Sequence, residues 1–226
     1  PAILKEALEH IYEANGFNLS YQSRIGTEIF PTFKDLLEVL PKIIKESSYS
    51  KEVQGNYIGA LVTRVKSMTN GVYGTIFCRN EIGDNKLFDH NVIVDISRIR
   101  SEETKALIMG ILVNRLSEYR MCSGIMNSPL HHITLLEEAH HLLRKHSASS
   151  VEGANMRGAS VEMITNAIAE MRTYGEGFVI ADQSPSIMDR SIIANTQTKV
   201  FFMLPEREDR AVAASSLELN LEQQSE

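Results

Sequence analysis

The sequence predicts an α/β fold in which helices flank a parallel sheet and a mainly helical lobe precedes it. Three observations carry that prediction. Short β-rich runs bounded by polar residues fall at 92–96, 133–136, 178–181 and 199–204. Segments of helical period separate most of them, the alternation expected of a parallel sheet. Finally, Ile133-Thr-Leu-Leu136 is followed at once by Glu137 and Glu138. An apolar run that stops at two carboxylates suits a buried parallel strand reaching an open edge, because ionised side chains cannot follow it into the core.

In chain order, residues 1–88 form the helical lobe. Ile3, Leu4, Ala7, Leu8, Ile11 and Tyr12 recur at helical spacing, and Asn15-Gly16 supplies a stop. Residues 18–30 have no period and read as a loop. Thr32 and Asp35 make a capping box ahead of Leu36, Leu37, Val39 and Leu40, with Pro41 setting a kink or break. A third helix over 51–68 places Ile58, Leu61, Val62, Val65 and Met68 on one face, and Asn70-Gly71 ends it. These stripes read as core; no chemistry is evident in this lobe.

Residues 89–216 form the sheet-bearing part. After the strand at 92–96, Ser101 caps a long helix with Glu102 and Glu103 in its first turn and Leu107, Ile108, Ile111, Leu112 and Leu116 along its buried side. Together with the strand at 133–136 this makes a βαβ unit. A short helix carries Leu142 and Leu143. Residues 146–158 are small and polar, a mobile loop. Ser160 caps the next helix, with Met163, Ile164, Ala167, Ile168 and Met171 inward and Gly175 closing it. The strand at 178–181 ends in Asp182-Gln183, Pro185 starts a helical turn, a strand follows at 199–204, and a last helix at 206–215. Residues 217–226 are a polar tail.

The totals narrow the function classes. A hydrophobic share of 43% with 23% charged residues is ordinary for a globular chain. Net charge is −6 and the pI about 5.7, a balance that argues against coating a nucleic acid while leaving room for a local basic patch. Cys78 and Cys122 lack metal-ligand spacing and read as reduced core thiols. No apolar run approaches the ~20 residues of a membrane span, and no signal peptide opens the chain. A cytoplasmic location and no stable membrane insertion are expected.

Glu137 and Glu138 carry the candidate chemistry. One reading is that they merely begin a helix, where the dipole welcomes acids. The other is a Walker B strand, in which the first acid holds Mg²⁺, commonly through water, and the second polarises the water that attacks a nucleoside triphosphate. Gln183 ends its strand in the same fashion, and its amide could reach the γ-phosphate or the attacking water. As a loop amide it could equally bond only to backbone. Arg172 sits near a helix C-terminus, which a cation complements without further role, or offers a guanidinium to a phosphate across a subunit boundary. His131, His132, His140 and His141 beside the two acids invite a transition-metal reading, but a di-iron site needs a second Glu-x-x-His helix, and there is none. No G-x-x-x-x-G-K-[ST] loop occurs between Pro1 and Glu226. The chain opens on Pro, and the expectation is a piece of a longer polypeptide whose phosphate loop lies upstream.

With these pieces placed, residues 91–220 resemble the HerA and FtsK superfamily of ring-forming, DNA-pumping ATPases, particularly HerA-like ATP-binding proteins and the ATPases of conjugative type IV secretion. The matching residues are Val92-Ile-Val-Asp-Ile-Ser97, Ile133-Thr-Leu-Leu-Glu-Glu-Ala-His140, Met171-Arg-Thr-Tyr-Gly-Glu-Gly-Phe-Val-Ile-Ala-Asp-Gln-Ser-Pro185 and Asn195-Thr-Gln-Thr-Lys-Val-Phe-Phe202. Pro31-Thr-Phe-Lys-Asp-Leu-Leu37 looks like the helical insertion such proteins carry.

The resemblance implies a partial RecA-like (ASCE P-loop NTPase) sheet, ATP and Mg²⁺ as cofactors, a hexameric ring and DNA as partner. It makes Glu137 the metal-side acid, Glu138 the catalytic glutamate, Gln183 the polar sensor and Arg172 an arginine finger serving the neighbouring subunit. Arg157 is a candidate DNA contact in the pore. The missing phosphate-loop strand is central in that fold, so a gap is expected between the strands at Phe178 and Val200. The alternative is a non-catalytic assembly or interaction domain that binds no nucleotide.

Overall fold

The computed structural model describes residues 2–20, 29–145, 153–220 and 223, the side chains of 153–160 excepted. The chain divides into two compact units, Pro1–Ile82 and Gly83–Glu226.

In the first unit, helix α1 (Ala2–Ala14) packs Ile3, Ala7 and Ile11 against Leu36, Leu40 and Ile44 of α2 (Phe33–Glu46). Gly16, at φ 91°, ends the turn after α1. Asp35 closes the start of α2, accepting from both the Thr32 backbone N–H (2.6 Å) and hydroxyl (2.8 Å). Burial raises the Asp35 pKa, but these bonds and Arg79 outweigh it, so the carboxyl lies below its ordinary 3.8.

Pro41 does not break α2, which runs on to Glu46. A proline inside a helix costs ~3 kcal/mol; here Leu40 and Ile44, both fully buried on either side of it, offset that cost by packing on α1. The third predicted helix is one run in three pieces: α3 (Lys51–Tyr57), a π turn (Ile58–Val62) and α4 (Thr63–Thr69). A short α5 (Gly71–Ile76) follows. Cys78 here is only half-buried.

The second unit starts earlier than the composition change suggested, because α6 (Asp84–Phe88) belongs to it: Phe88 is in its core and Asp84 pairs with Arg115. Helix α7 (Glu102–Cys122) is capped by Ser101 as expected, its hydroxyl accepting from Thr104 N–H. Its buried face is turned from the one predicted. Thr104, Ile108, Met109, Val113, Leu116, Ser117 and Arg120 are buried, Ile111 and Leu112 only partly, and Leu107 is exposed. Apolar residues surround much of this helix, so tertiary contacts rather than pattern select the face. Cys122, at its end, is exposed, contrary to the core reading.

Among the described residues the sheet comprises two parallel strands, β1 (His132–Glu137) and β2 (Glu176–Ala181), in register from His132↔Glu176 to Glu137↔Ala181. Helices α8 (His140–Leu143) and α9 (Gly153–Met171) connect them. The core joins Met109, Val113 and Leu116 of α7 to Leu136, Ala139, Leu142, Leu143 and Met171, with Phe178 and Ile180 packed against it. The opposite face of the sheet, Ile133, Leu135 and Val179, is exposed. Helix α9 begins at Gly153, so Ser160 lies inside it rather than capping it, and the loop expected over 146–158 is helical from Gly153; residues 146–152 lie outside the described residues. Met163, expected inward, is exposed.

The βαβ unit expected from residue 92 does not form, and neither does the strand at 199–204. Both runs lack ladder partners among the described residues. Their apolar side chains face solvent: Ile93 is 95% exposed, Phe202 87% and Met203 91%. β-propensity expresses fit to a neighbouring strand, and without that neighbour it holds nothing in place.

After β2 come a 3₁₀ turn (Pro185–Ile187), α10 (Arg190–Asn195) and α11 (Arg207–Ser216). Buried Asp209 of α11 accepts from Ser186 N–H at 2.8 Å and fixes that turn. No helix among the described residues is long and apolar enough to cross a membrane.

Candidate functional site at the strand tips

The parallel register brings the ends of both strands to one edge. Glu137 stands opposite Ala181, so Glu138 and Asp182 follow in phase. Ala139 N–H reaches Ala181 O at 3.4 Å and holds the two ends together. Glu138 takes a left-handed backbone conformation, φ 51°, rarely adopted by non-glycine residues and costing about 1 kcal/mol or more. That turn carries the chain from β1 into α8 and leaves the Glu138 side chain beside the tip of β2.

The two predicted tip residues meet: Gln183 Nε2 donates to Glu138 Oε1 at 2.7 Å. Glu137, next to them on the exposed face of the strand, keeps a solvent-accessible carboxylate. Exposed carboxylate, half-exposed carboxylate and amide at one sheet edge can bind a hydrated divalent cation and polarise a water. Arg172 is placed elsewhere. It opens the 3₁₀ turn Arg172–Tyr174 just before β2, at the opposite end of the sheet from Glu138. Six residues of strand separate those ends, on the order of 20 Å, so Arg172 does not reach Glu138 of its own chain. The Arg157 side chain lies outside the described residues.

Two residues that the sequence reading did not use as a pair complete the edge. Asp182 Oδ2 accepts from the His140 backbone N–H at 2.7 Å and faces His140 Nδ1 at 2.9 Å, while Oδ1 accepts from Ser184 N–H at 2.9 Å. His140 Nδ1 also stands 3.4 Å from Glu138 Oε2. The signal was present: Asp182 ends β2 just as Glu138 follows β1. Ligand atoms of Glu138, His140 and Asp182 lie within 4.8 Å of one another. Asp182 already receives donors on both oxygens, however, and the ring nitrogen facing it serves as a donor, leaving no lone pair there for a metal. His141, beside this group, contacts Glu102; burial, the largest influence, pushes its imidazole below the ordinary 6.5.

At the other end of the sheet, Glu176 is fully buried. Its Oε2 accepts from Arg120 Nε at 2.9 Å, and its Oε1 meets His132 Nδ1 at 2.6 Å and the Thr134 hydroxyl at 2.7 Å. This set fixes the strand starts to α7.

No protein-family profile and no curated protein sequence matches this chain.

Proposed function

We propose that this chain supplies the Walker B and sensor strands of a HerA-like, ring-forming ATPase that couples ATP hydrolysis to the translocation of DNA or a conjugative substrate. The single observation supporting this reading is the Gln183–Glu138 hydrogen bond at the tips of neighbouring parallel strands, the edge where open α/β sheets place their ligands. In this reading Glu137 holds Mg²⁺ through water, Glu138 orients the attacking water, and Gln183 senses the γ-phosphate. The two strands belong to a RecA-like sheet whose phosphate-loop strand comes from outside residues 1–226. The run at 199–204, unpaired among the described residues, fits a sheet that lacks its central member. Arg172, far from its own Glu138, serves a neighbouring subunit of a hexamer, and Arg157 contacts DNA.

The test is Glu138→Gln in the natural gene product. Hydrolysis slows by roughly 10² or more while nucleotide binding survives; unchanged turnover removes Glu138 from the role. The 226-residue chain alone shows no measurable MgATP affinity by calorimetry, and tight binding would contradict the account of the site. A second reading, an interaction domain without nucleotide chemistry, draws on the exposed apolar runs at Ile93 and Phe202. A natural gene product that binds no nucleotide favours it.

A further inference from the structure

We propose that His140 is a positioning residue for Glu138 and that Asp182 sets its orientation, an inference that rests on the hydrolytic reading above. Both oxygens of the Glu138 carboxylate contact groups governed by the tip of β2. Oε1 takes the Gln183 amide at 2.7 Å. Oε2 lies 3.4 Å from His140 Nδ1, whose hydrogen bond goes to Asp182 Oδ2 at 2.9 Å.

The proton's location follows from Asp182. Its side chain is 4% exposed, and its two oxygens already accept from the backbone N–H groups of His140 and Ser184. A carboxylate so used is an acceptor, so the ring nitrogen facing it, Nδ1, carries a hydrogen. The backbone bond alone would suffice to start α8; the ring contact is additional and holds the imidazole against Glu138 Oε2.

A glutamate has several rotors, and fixing it in one pose costs rotamer entropy. A general base works only from a pose within hydrogen-bond reach of its water. Gln183 alone would hold one oxygen and leave the carboxylate free to pivot about it. His140, pinned by Asp182, removes that freedom.

Steady-state MgATP hydrolysis by the natural gene product tests this with five proteins: wild type, Glu138→Gln, His140→Ala, His140→Asn and Asp182→Asn. His140→Ala should lower kcat by roughly 10- to 100-fold, the loss typical of removing a supporting contact, with KM for MgATP changed less than about twofold. His140→Asn returns an amide N–H near the Nδ1 position and should recover most of the rate, which a merely structural loss would not allow. Asp182→Asn should match His140→Ala. Wild-type kcat in His140→Ala, with Glu138→Gln slow, overturns the positioning role and leaves the hydrolytic reading standing; wild-type turnover in Glu138→Gln overturns that reading instead. Two-bond ¹H–¹⁵N spectra of the 226-residue chain provide an arm independent of turnover. They should show a hydrogen on His140 Nδ1, lost in Asp182→Asn, and a ring protonated at Nε2 alone would overturn the proposal whatever the kinetics.

Discussion

Arg120 and Glu176 form a buried ion pair at the end of the sheet remote from Glu138, with Nε donating to Oε2 at 2.9 Å. Arg120 also donates to Asp89 at 2.7 Å and to the Phe88 carbonyl. Burial weakens the hold on its proton, but the bonds to Asp89 and Glu176 outweigh that and keep the guanidinium charged.

Removing one partner leaves the other charge buried and unpaired. Arg120→Ala should therefore destabilise the second unit by about 3–5 kcal/mol in urea unfolding. Pairing Arg120→Met with Glu176→Gln should recover at least half of that loss, since the introduced amide can still bond to His132 and Thr134. A single variant within about 1 kcal/mol of wild type would show that the pair does not anchor the strand starts.

His141 supplies a pH dependence. Its folded imidazole lies below the ordinary 6.5, with burial as the first cause, then Glu102 opposing and His140 and Lys105 assisting. The unfolded chain thus binds the proton more readily, so stability rises with pH. That stability is fully present above 6.5 and is eroded as pH falls toward the folded value. His141→Gln should flatten the pH–stability curve on the acid side of 6.5, read by denaturation at a series of pH values. An unchanged slope would assign the dependence to other groups.

Phe202 and Met203 face solvent, without a strand partner among the described residues. Phe202→Asp should change unfolding free energy by no more than about 0.5 kcal/mol, as for surface substitutions generally. It should also lower concentration-dependent light scattering, because an exposed apolar β-prone run is a site of association. A loss of several kcal/mol would mean that Phe202 is packed.

Arg172 and Glu138 lie at opposite ends of the sheet. If each serves a site shared between subunits, Arg172→Ala and Glu138→Gln proteins, both inactive alone, should regain part of the hydrolytic rate when mixed and allowed to reassemble. Absence of any recovery in demonstrably mixed rings would remove Arg172 from a neighbour's site.

What the sequence disclosed about the fold depended on whether local residues decide the outcome. Ile133 to Leu136 and Phe178 to Ala181 each stop at carboxylates, which located both strands and, through their parallel register, the meeting of Glu138 with Gln183. The runs at 92–96 and 199–204 carry the same composition but find no strand neighbour among the described residues, and composition is silent on neighbours. The face of α7 was illegible because Leu107, Ile111 and Leu112 are as apolar as Ile108 and Val113. Pro41 misled because its local cost is overridden by two buried residues flanking it. The Asp182–His140 contact needed a residue from each strand end, a distance no single stretch expresses.

Gly175 closes the turn into β2 at φ 77°, and a methyl group there would sit 2.4 Å from both His131 Nδ1 and the Pro129 carbonyl oxygen. In a saturation library selected for folded protein, that codon should stay blank while those of Gly55 and Gly59, where a methyl group would meet nothing within 4 Å among the described residues, fill with many residues. Intolerance of substitution is thereby placed in a turn at the far end of the sheet from Glu138.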